Sequence, residues 1–526
     1  MMERKKLFVY DSTLRDGTQG EGISFSIDDK IKVVKTLDGL GVDYIEAGIP
    51  GSNPKDAELF SRLAGLNLKH AKIAAFGSTH KIGIRVEDDA NIRAILQSGA
   101  PVATIFGKAW DLHVKEVFRA ELEENLAIVD STLRYLKKNG KEIVFDAEHF
   151  FDGYKNNLPY AMQVLETAAQ AGADTLCLCD TNGASFPDEI SEITAAVVHR
   201  FPDLKIGIHC HNDVGMAVGN TVIGVLAGAA QFQGTMNGFG ERCGNANLCT
   251  IIPNLQLKRG YLCIPEENMK TLKSRARYVY ELANVVPDER KPYVGNMAFA
   301  HKGGMHIDAV HKNPVTFEHV APETVGNERR FLMSEMSGRS TVISSIHKVD
   351  DSIDRNSEET KEILDELKTL ESEGYQFEGA ESSFELLIRK KLGRYTPFFG
   401  LEQFKVFSIA PNPNNYSSSA MIKINVDGKS EITAAEGDGP VNALDKALRK
   451  ALERFYPEIG KMRLIDFKVR VLDGKDATAS RIRVLIESTD GEENWSTVGV
   501  SSDIIEASWK ALVDSVEYML ERKRNE

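Results

Sequence analysis

No run in these 526 residues approaches the ~20 consecutive apolar positions that a membrane-spanning helix needs. The opening Met-Met-Glu-Arg-Lys-Lys is followed within a few residues by Asp11, so the apolar core of a secretory signal is missing as well. Excess positive charge is also absent. The net charge is -13 and the pI about 5.6, which argues against a nucleic-acid backbone as partner, because such binders concentrate lysine and arginine. Cysteine is sparse: Cys177, Cys179, Cys210, Cys243, Cys249 and Cys263 are the six, and no pair has the spacing of a zinc knuckle or a redox C-x-x-C. Free thiols in a reducing compartment are expected, and with them a soluble, cytoplasmic protein.

What is present is an ordinary globular composition, 42% hydrophobic and 27% charged. The chain exceeds the ~250 to 300 residues at which single cores stop growing, so two or three domains are expected. Up to about residue 250, short apolar runs alternate with amphipathic segments. The strand-like runs are Leu7 to Tyr10, Tyr44 to Ala47, Lys72 to Phe76, Val102 to Phe106, Glu142 to Phe145, Thr175 to Cys179, Lys205 to His209 and Gln231 to Met236. Helices fit between them; Ser26-Ile-Asp-Asp29, for example, reads as a capping box before Ile27, Ile31 and Val34 at helical spacing. Eight such units predict an α/β fold with the sheet closed into a (β/α)8 TIM barrel over residues 1–260; an open doubly wound sheet is the competitor.

Residues 261–384 read as helical linker subdomains: a helix from Glu266 to Asn284, a proline-rich break, a Gly-Gly bend before His306, and a charged connector over 350–374 with Ile363, Leu367 and Leu370 on one face. From 385 to 526 the period changes to short strands, and the segment repeats. Phe404-Lys-Val406 returns as Phe467-Lys-Val469, the run Ile422, Ile424, Val426 as Ile482, Val484, Ile486, and Gly437 as Gly499, and each copy closes on a Lys-Ala-Leu helix. Two βββα units forming one α+β domain are expected.

Barrel enzymes carry their chemistry at the C-terminal ends of strands. There the chain sets Arg15, Asp16 and Gln19 after strand 1, Glu46 in strand 2, Glu148 after strand 5, Thr181 after strand 6, His209 and His211 at strand 7, and Glu241 and Asn245 after strand 8. His209 and His211 alternate, so both imidazoles point the same way. With the Asp16 carboxylate and the Asn245 amide they make a mixed N/O set without a thiolate, suited to a divalent ion with open positions; Zn, Mn and Mg all remain open. Such an ion beside Arg15 can hold a 2-oxo acid and polarise its ketone, while Arg15 meets the developing oxyanion.

Leu14-Arg15-Asp16-Gly17-x-Gln19, Ile208-His209-Cys-His211-Asn212-Asp213 and Gly240-Glu241-Arg242-x-Gly244-Asn245 together resemble the DRE-TIM metallolyases, in the branch of Claisen-condensing 2-isopropylmalate, homocitrate and citramalate synthases. The resemblance covers nearly the whole chain. It implies condensation of acetyl-CoA as co-substrate with a 2-oxo acid, then thioester hydrolysis. It also implies metal ligation by Asp16, His209, His211 and Asn245, enolate addition assisted by Arg15, and a 2-oxo acid site lined by Glu148 and Thr181, with Gln19 and Glu46 as further substrate contacts. His306 matches the family's subdomain histidine that reaches the partner subunit's active site near Glu241, in a homodimer; it serves either enolisation or the hydrolytic water. Where isopropylmalate synthases have Gln after that histidine, this chain has Ile307.

The segment Phe106-Gly-Lys-Ala-Trp110-Asp-Leu-His113 looks like the citramalate branch. If Trp110 narrows the pocket, pyruvate fits and 2-oxoisovalerate is crowded, since overpacking costs ~1 to 3 kcal/mol. The expectation is therefore (R)-citramalate formation, opening an isoleucine route, with isoleucine as allosteric inhibitor bound by the C-terminal repeats. The alternative is 2-isopropylmalate synthesis from 2-oxoisovalerate.

Overall fold

A computed structural model describes residues 4–331, 343, 345–347, 349–354, 357–377, 379–408, 418–472, 480–491 and 493–525; Met1 to Glu3 of the opening segment lie outside them. The chain divides into two compact units. One comprises residues 1–299 with 320–329, the other residues 300–319 with 330–526.

In the first unit, β1 (Phe8–Asp11), β2 (Tyr44–Gly48), β3 (Lys72–Ser78), β4 (Val102–Lys108), β5 (Glu142–Glu148), β6 (Thr175–Asp180), β7 (Lys205–Cys210) and β8 (Gln231–Gly234) pair in sequence order, and β8 returns to β1, closing an eight-stranded parallel barrel. This is the predicted barrel. The capping box at Ser26 is present, with Asp29 N donating to Ser26 Oγ at 3.1 Å and Ser26 N donating to Asp29 Oδ2 at 3.3 Å. It starts a helix, Ile27–Leu40, that buries Ile31 and Val34 against the barrel. β8 stops at Gly234, short of the predicted Met236, because Thr235 N turns to Ala246 O and Met236–Gly238 form a 3₁₀ turn with Asn237 at φ 62°.

Most of the apolar core lies between the strands and the surrounding helices. The barrel interior itself holds only a small apolar cluster, including Tyr10, Tyr44, Ala74, Val102, Val144, Cys177 and Cys179. Inward positions alternate along each strand, so Val102, Thr104, Phe106 and Lys108 share the interior with Val144, Asp146 and Glu148. The upper layers of that interior are therefore polar.

Beyond residue 260 the expected helix from Glu266 splits into a 3₁₀ turn, Glu266–Thr271, and an α-helix, Leu272–Leu282, whose Arg275 Nη1 donates to Thr36 O at 2.8 Å. Residues 320–329 are tied to the same unit by Asn327, which donates to Tyr293 O and Gly295 O, each at 2.8 Å.

In the second unit the chain bends at Gly303, as expected of the Gly-Gly pair; Gly303, at φ -72°, is also the N-cap of the helix Gly304–Lys312, and His306 sits in its first turn, stacked on Phe317 with ring centroids 4.1 Å apart. The connector helix spans Glu358–Ser372 and buries Ile363 and Leu367. Two three-stranded antiparallel sheets follow, Gly400–Ser408, Ser418–Val426, Lys429–Gly437 and Arg463–Val471, Ile482–Thr489, Asn494–Ser501, with helices Pro440–Leu452 and Ile504–Asn525 in a shared core. The two βββα units are as expected, but their phase differs from the reading of the sequence. Ile422 pairs with Phe404 and Thr433, whereas Phe467 and Thr497 pair with Ile486. Thr433 Oγ1 donates to Ala447 O and Thr497 Oγ1 to Ala511 O, both at 2.8 Å. Ile422 thus corresponds to Ile486, and Gly437 to Ser501. A period-2 pattern looks the same after any even shift, so alternation alone could not set the register.

Candidate active site

The mouth of the barrel is assembled from backbone constraints first. After β1 the chain turns sharply: Asp11 accepts from Thr13 N at 2.9 Å and Thr13 Oγ1 at 2.8 Å, and Gly17 N returns to Ser12 O at 3.0 Å. This turn carries Arg15 and Asp16 back over the barrel axis. The loop after β8 is sewn to the end of β7, with Ala246 N donating to Cys210 O and Asn212 N to Gly244 O, both at 3.0 Å. That seam sets Asn245 opposite His211 in an isolated β-bridge. Gly240 is required beside it, since it lies at φ +156° and a Cβ there would come within 2.1 Å of Asn245 Nδ2.

Four predicted ligand residues are thereby brought together. Asp16 Oδ2 lies 3.5 Å from His209 Nε2 and 3.8 Å from His211 Nε2, and the two Nε2 atoms are 3.3 Å apart. Donors ~2.0 to 2.2 Å from one ion stand about 3 to 3.5 Å from each other, so this spacing fits a shared cation. Asn245 Nδ2 donates to Phe239 O at 3.2 Å, and its Oδ1, like Asp16 Oδ1, is buried without a hydrogen-bond partner. Buried orphan oxygens are costly unless something positive completes them. Electrostatics agree. Burial acts to raise the Asp16 carboxyl, but Arg15, His209 and His211 outweigh it and hold it at about 2. Burial pushes His209 down, and burial with His209 beside it pushes His211 down to about 4. At neutral pH the set is one carboxylate and two neutral imidazoles, the ligating forms.

Arg15 is clamped rather than free. Its Nε donates to Glu46 Oε2 at 2.5 Å, its Nη1 lies 3.1 Å from Asp16 Oδ2, and its guanidinium carbon sits 3.8 Å from the centre of the Phe76 ring. Nη2 is taken up by neither carboxylate. Glu46, wholly buried, also accepts from Tyr10 and Ser12 hydroxyls at 2.7 Å each. The structure thus places Glu46 beneath Arg15, with its oxygens engaged by the protein.

The other predicted residues ring the mouth. Glu148, half-buried, pairs with Lys108 Nζ at the ends of β5 and β4. Thr181 Oγ1 accepts from His149 N at 2.9 Å, and Thr181 O accepts from Arg242 Nη2 at 2.7 Å. Trp110 stacks on His113 at 5.4 Å and lies 5.8 Å from His149. Gln19 is exposed in the 3₁₀ turn Gly17–Gln19, and Glu241, also exposed, contacts Arg242 at 3.3 Å. His306 belongs to the second unit and is exposed.

Two interior residues escaped the sequence reading. Lys108 is buried and faces inward, joined to Arg15 through a stacked pair: Nζ lies 5.6 Å from the Phe106 ring, whose centroid is 5.3 Å from Phe76. Gln233, wholly buried in β8, touches His209. The signal for both was strand parity, a polar side chain at an inward position of a central strand.

Among the described residues a second group, Asp146, Cys177 and Cys179, also brings ligand-type atoms together. Burial pushes Cys177 up. The hydrogen bond to Cys177 acts to lower Cys179, yet burial and nearby carboxylates take it to about 11. Both remain thiols, and the group is a hydrogen-bonded part of the interior.

Comparison with known proteins finds three family matches along the chain. Residues 6–279 match the HMGL-like family, residues 293–375 the homocitrate synthase post-HMGL domain-like family, and residues 378–520 the LeuA allosteric (dimerisation) domain. The chain is 49% identical over 523 residues to an (R)-citramalate synthase of Aquifex aeolicus, covering 99% of each. It is 51% identical over 515 residues to an (R)-citramalate synthase of Geobacter sulfurreducens, covering 98% of this chain and 97% of that one. A probable 2-isopropylmalate synthase of Methanopyrus kandleri is 30% identical over 517 residues, with 98% and 99% covered.

Proposed function

The chain belongs to the family of the (R)-citramalate synthases, built on an HMGL-like barrel with a LeuA-type C-terminal domain, and from that premise we propose how its residues divide the work. The reaction joins acetyl-CoA to pyruvate and hydrolyses the thioester, giving (R)-citramalate and CoA. The observation that carries our reading is the convergence of Asp16, His209 and His211 with the unpartnered Oδ1 of Asn245. These four would hold a divalent ion, which when bound supplies Lewis-acid polarisation of the 2-oxo acid carbonyl.

Charge supports this pairing of ion and substrate. Arg15, Glu46 and Asp16 sum to one negative charge; a divalent ion raises the sum to one positive, which a monoanionic 2-oxo acid neutralises. Arg15, aimed by Glu46, offers Nη2 to the oxyanion that grows on the C2 oxygen as the carbon–carbon bond forms. Thr181, Glu148 and its partner Lys108 line the wall that receives pyruvate, with Trp110, His113 and His149 above them. Gln19 stands at the rim. Glu241, with His306 of one subunit acting at the barrel of the other, serves removal of the acetyl methyl proton or delivery of the hydrolytic water.

We assign the functional partition as a catalytic barrel over 1–260, linker subdomains over 261–384 and a regulatory domain over 385–526. The homodimer is supported by the match to a dimerisation domain and by apolar side chains left exposed on the C-terminal strands, such as Phe407 at 57%, Ile432 at 60% and Val471 at 54%. Isoleucine, the end product of the route this reaction opens, is the inhibitor we assign to that domain. None of the helices among the described residues is long and apolar enough to cross a membrane, and the cytoplasm, where pyruvate and acetyl-CoA are drawn, is the assigned compartment.

Release of CoA from acetyl-CoA, followed by thiol titration with pyruvate and with 2-oxoisovalerate side by side, tests the reading. Turnover is expected with pyruvate. Preference for 2-oxoisovalerate would transfer the chain to isopropylmalate synthesis, and no CoA with any 2-oxo acid would reject a synthase. Inhibition by isoleucine that survives deletion of residues 385–526 would remove the regulatory assignment.

A further inference from the structure

We propose that Gln233 is a positioning residue for the metal site: it sets the tautomer and the ring orientation of His209, and it can do so because Asp146 fixes the direction of its amide. The inference rests on the reading of His209 as a ligand.

Two imidazole nitrogens 3.3 Å apart, His209 Nε2 and His211 Nε2, can share a cation only if both present lone pairs. A ligating imidazole carries its proton on the nitrogen that does not face the cation. Which nitrogen is protonated depends on the partner of the other. Here His209 Nδ1 lies 3.0 Å from Gln233 Oε1. An amide oxygen only accepts, so Nδ1 holds the proton and Nε2 is left bare toward Asp16 and His211. A glutamine reversed end for end would present its NH₂ to Nδ1 and force the opposite tautomer, which turns an N–H onto the ligand position. The reversal is prevented on the far side: Gln233 Nε2 donates to Asp146 Oδ1 at 3.0 Å. Asp146 also interacts with the Cys177 side chain, which favours its charged form. Gln233 and Asp146 are both buried in the barrel interior, where a wrongly directed amide has no water to compensate it.

Two variants separate a directional role from a packing role. Gln233→Met keeps the volume and loses the acceptor. Gln233→Glu keeps an acceptor for Nδ1–H and brings a charge into the interior. The full-length chain, freed of metal by chelation, is titrated with Mn²⁺ while the free ion is followed by its electron paramagnetic resonance signal. Gln233→Met is expected to weaken binding about 10- to 100-fold, the usual effect of removing such an outer partner, whereas Gln233→Glu binds within about threefold of the original chain. In the metal-free protein, long-range ¹H–¹⁵N spectra of the histidines are expected to show the Nδ1–H form of one buried imidazole, and its loss in Gln233→Met. The opposite ranking, with Met harmless and Glu damaging, would mean that Gln233 only fills space and would overturn the assignment, as would equal losses in both variants. If the unaltered chain takes up no Mn²⁺, the ligand reading falls and this inference with it; if it does and Gln233→Met binds as well, Gln233 alone is refuted.

Discussion

Replacing Glu46 by Gln isolates the clamp on Arg15. The exchange keeps the shape and one acceptor oxygen, which can stay with Ser12 and Arg15 while the new NH₂ faces the Tyr10 hydroxyl, and it removes the charge that faces the guanidinium at 2.5 Å. Both side chains are buried, at 9% and 0% exposure, so solvent cannot take over the lost partner. Breaking one side of a buried pair costs about 3 to 5 kcal/mol. At roughly 2 to 4 °C per kcal/mol for a domain of this size, that lowers the barrel's melting by about 6 to 20 °C. Function suffers separately. With Glu46 neutral, Arg15 keeps Asp16 as its nearest carboxylate, 3.1 Å away, and is drawn toward it. This pulls the cation off the oxyanion position, and loss of one such donor typically costs 10²- to 10³-fold in kcat. The assay pairs thermal melting with the rate of CoA release. The double variant Glu46→Gln/Arg15→Met should melt above Glu46→Gln, because the stranded buried charge is gone, while remaining inactive. Glu46→Gln melting within about 1 kcal/mol of the original chain, or turning over at an unchanged rate, would refute the clamp.

Gly240→Ala introduces a Cβ 2.1 Å from Asn245 Nδ2 at φ +156°, so Asn245 must move; Mn²⁺ affinity is expected to fall tenfold or more with the barrel's circular dichroism unchanged, and unaltered affinity would show that Asn245 is no ligand. Lys108→Met strands Glu148 beside the incoming carboxylate, so KM for pyruvate should rise at least tenfold, with substantial recovery in Lys108→Arg; an unchanged KM would place the pair outside the substrate wall. Burial raises the Glu517 carboxyl from 4.5 to about 7. Unfolded, it ionises near 4.5 while the folded form still holds its proton, so the C-terminal unit is most stable below pH 4.5 with respect to this group and loses that contribution as pH climbs to 7. Glu517→Gln should flatten the slope of stability in that window and raise melting at pH 8; an identical slope in the variant would exclude Glu517 as its source.

Much of the candidate site's composition was legible in the sequence, because it is written in local terms. Strand alternation puts His209 and His211 on one side of one strand, and the eight-unit rhythm carries Asp16 and Asn245 to the same rim as those histidines. The Ser26 capping box is likewise a four-residue statement that the helix obeys. By contrast, the phase of the C-terminal repeat was misread, since Ile422 and Ile482 are equivalent to an alternating pattern but not to the turn and helix that fix the pairing. The Gly-Gly pair before His306 suggested a bend, and Gly303 is one; what the pair did not announce is the helix that starts there.

The residues alone thus determined the barrel, the order of its strands and the set of ligand types at its mouth, all of which follow from periodicity and from chemistry carried by single side chains. Only the tertiary structure decided how those groups are charged and aimed. Glu46 is turned inward to hold Arg15, Lys108 faces Glu148, and Asp146 directs Gln233, which directs His209. Each of these is a contact between strands separated by tens of residues, and closure of the barrel sets its geometry. No local pattern along the chain encodes it.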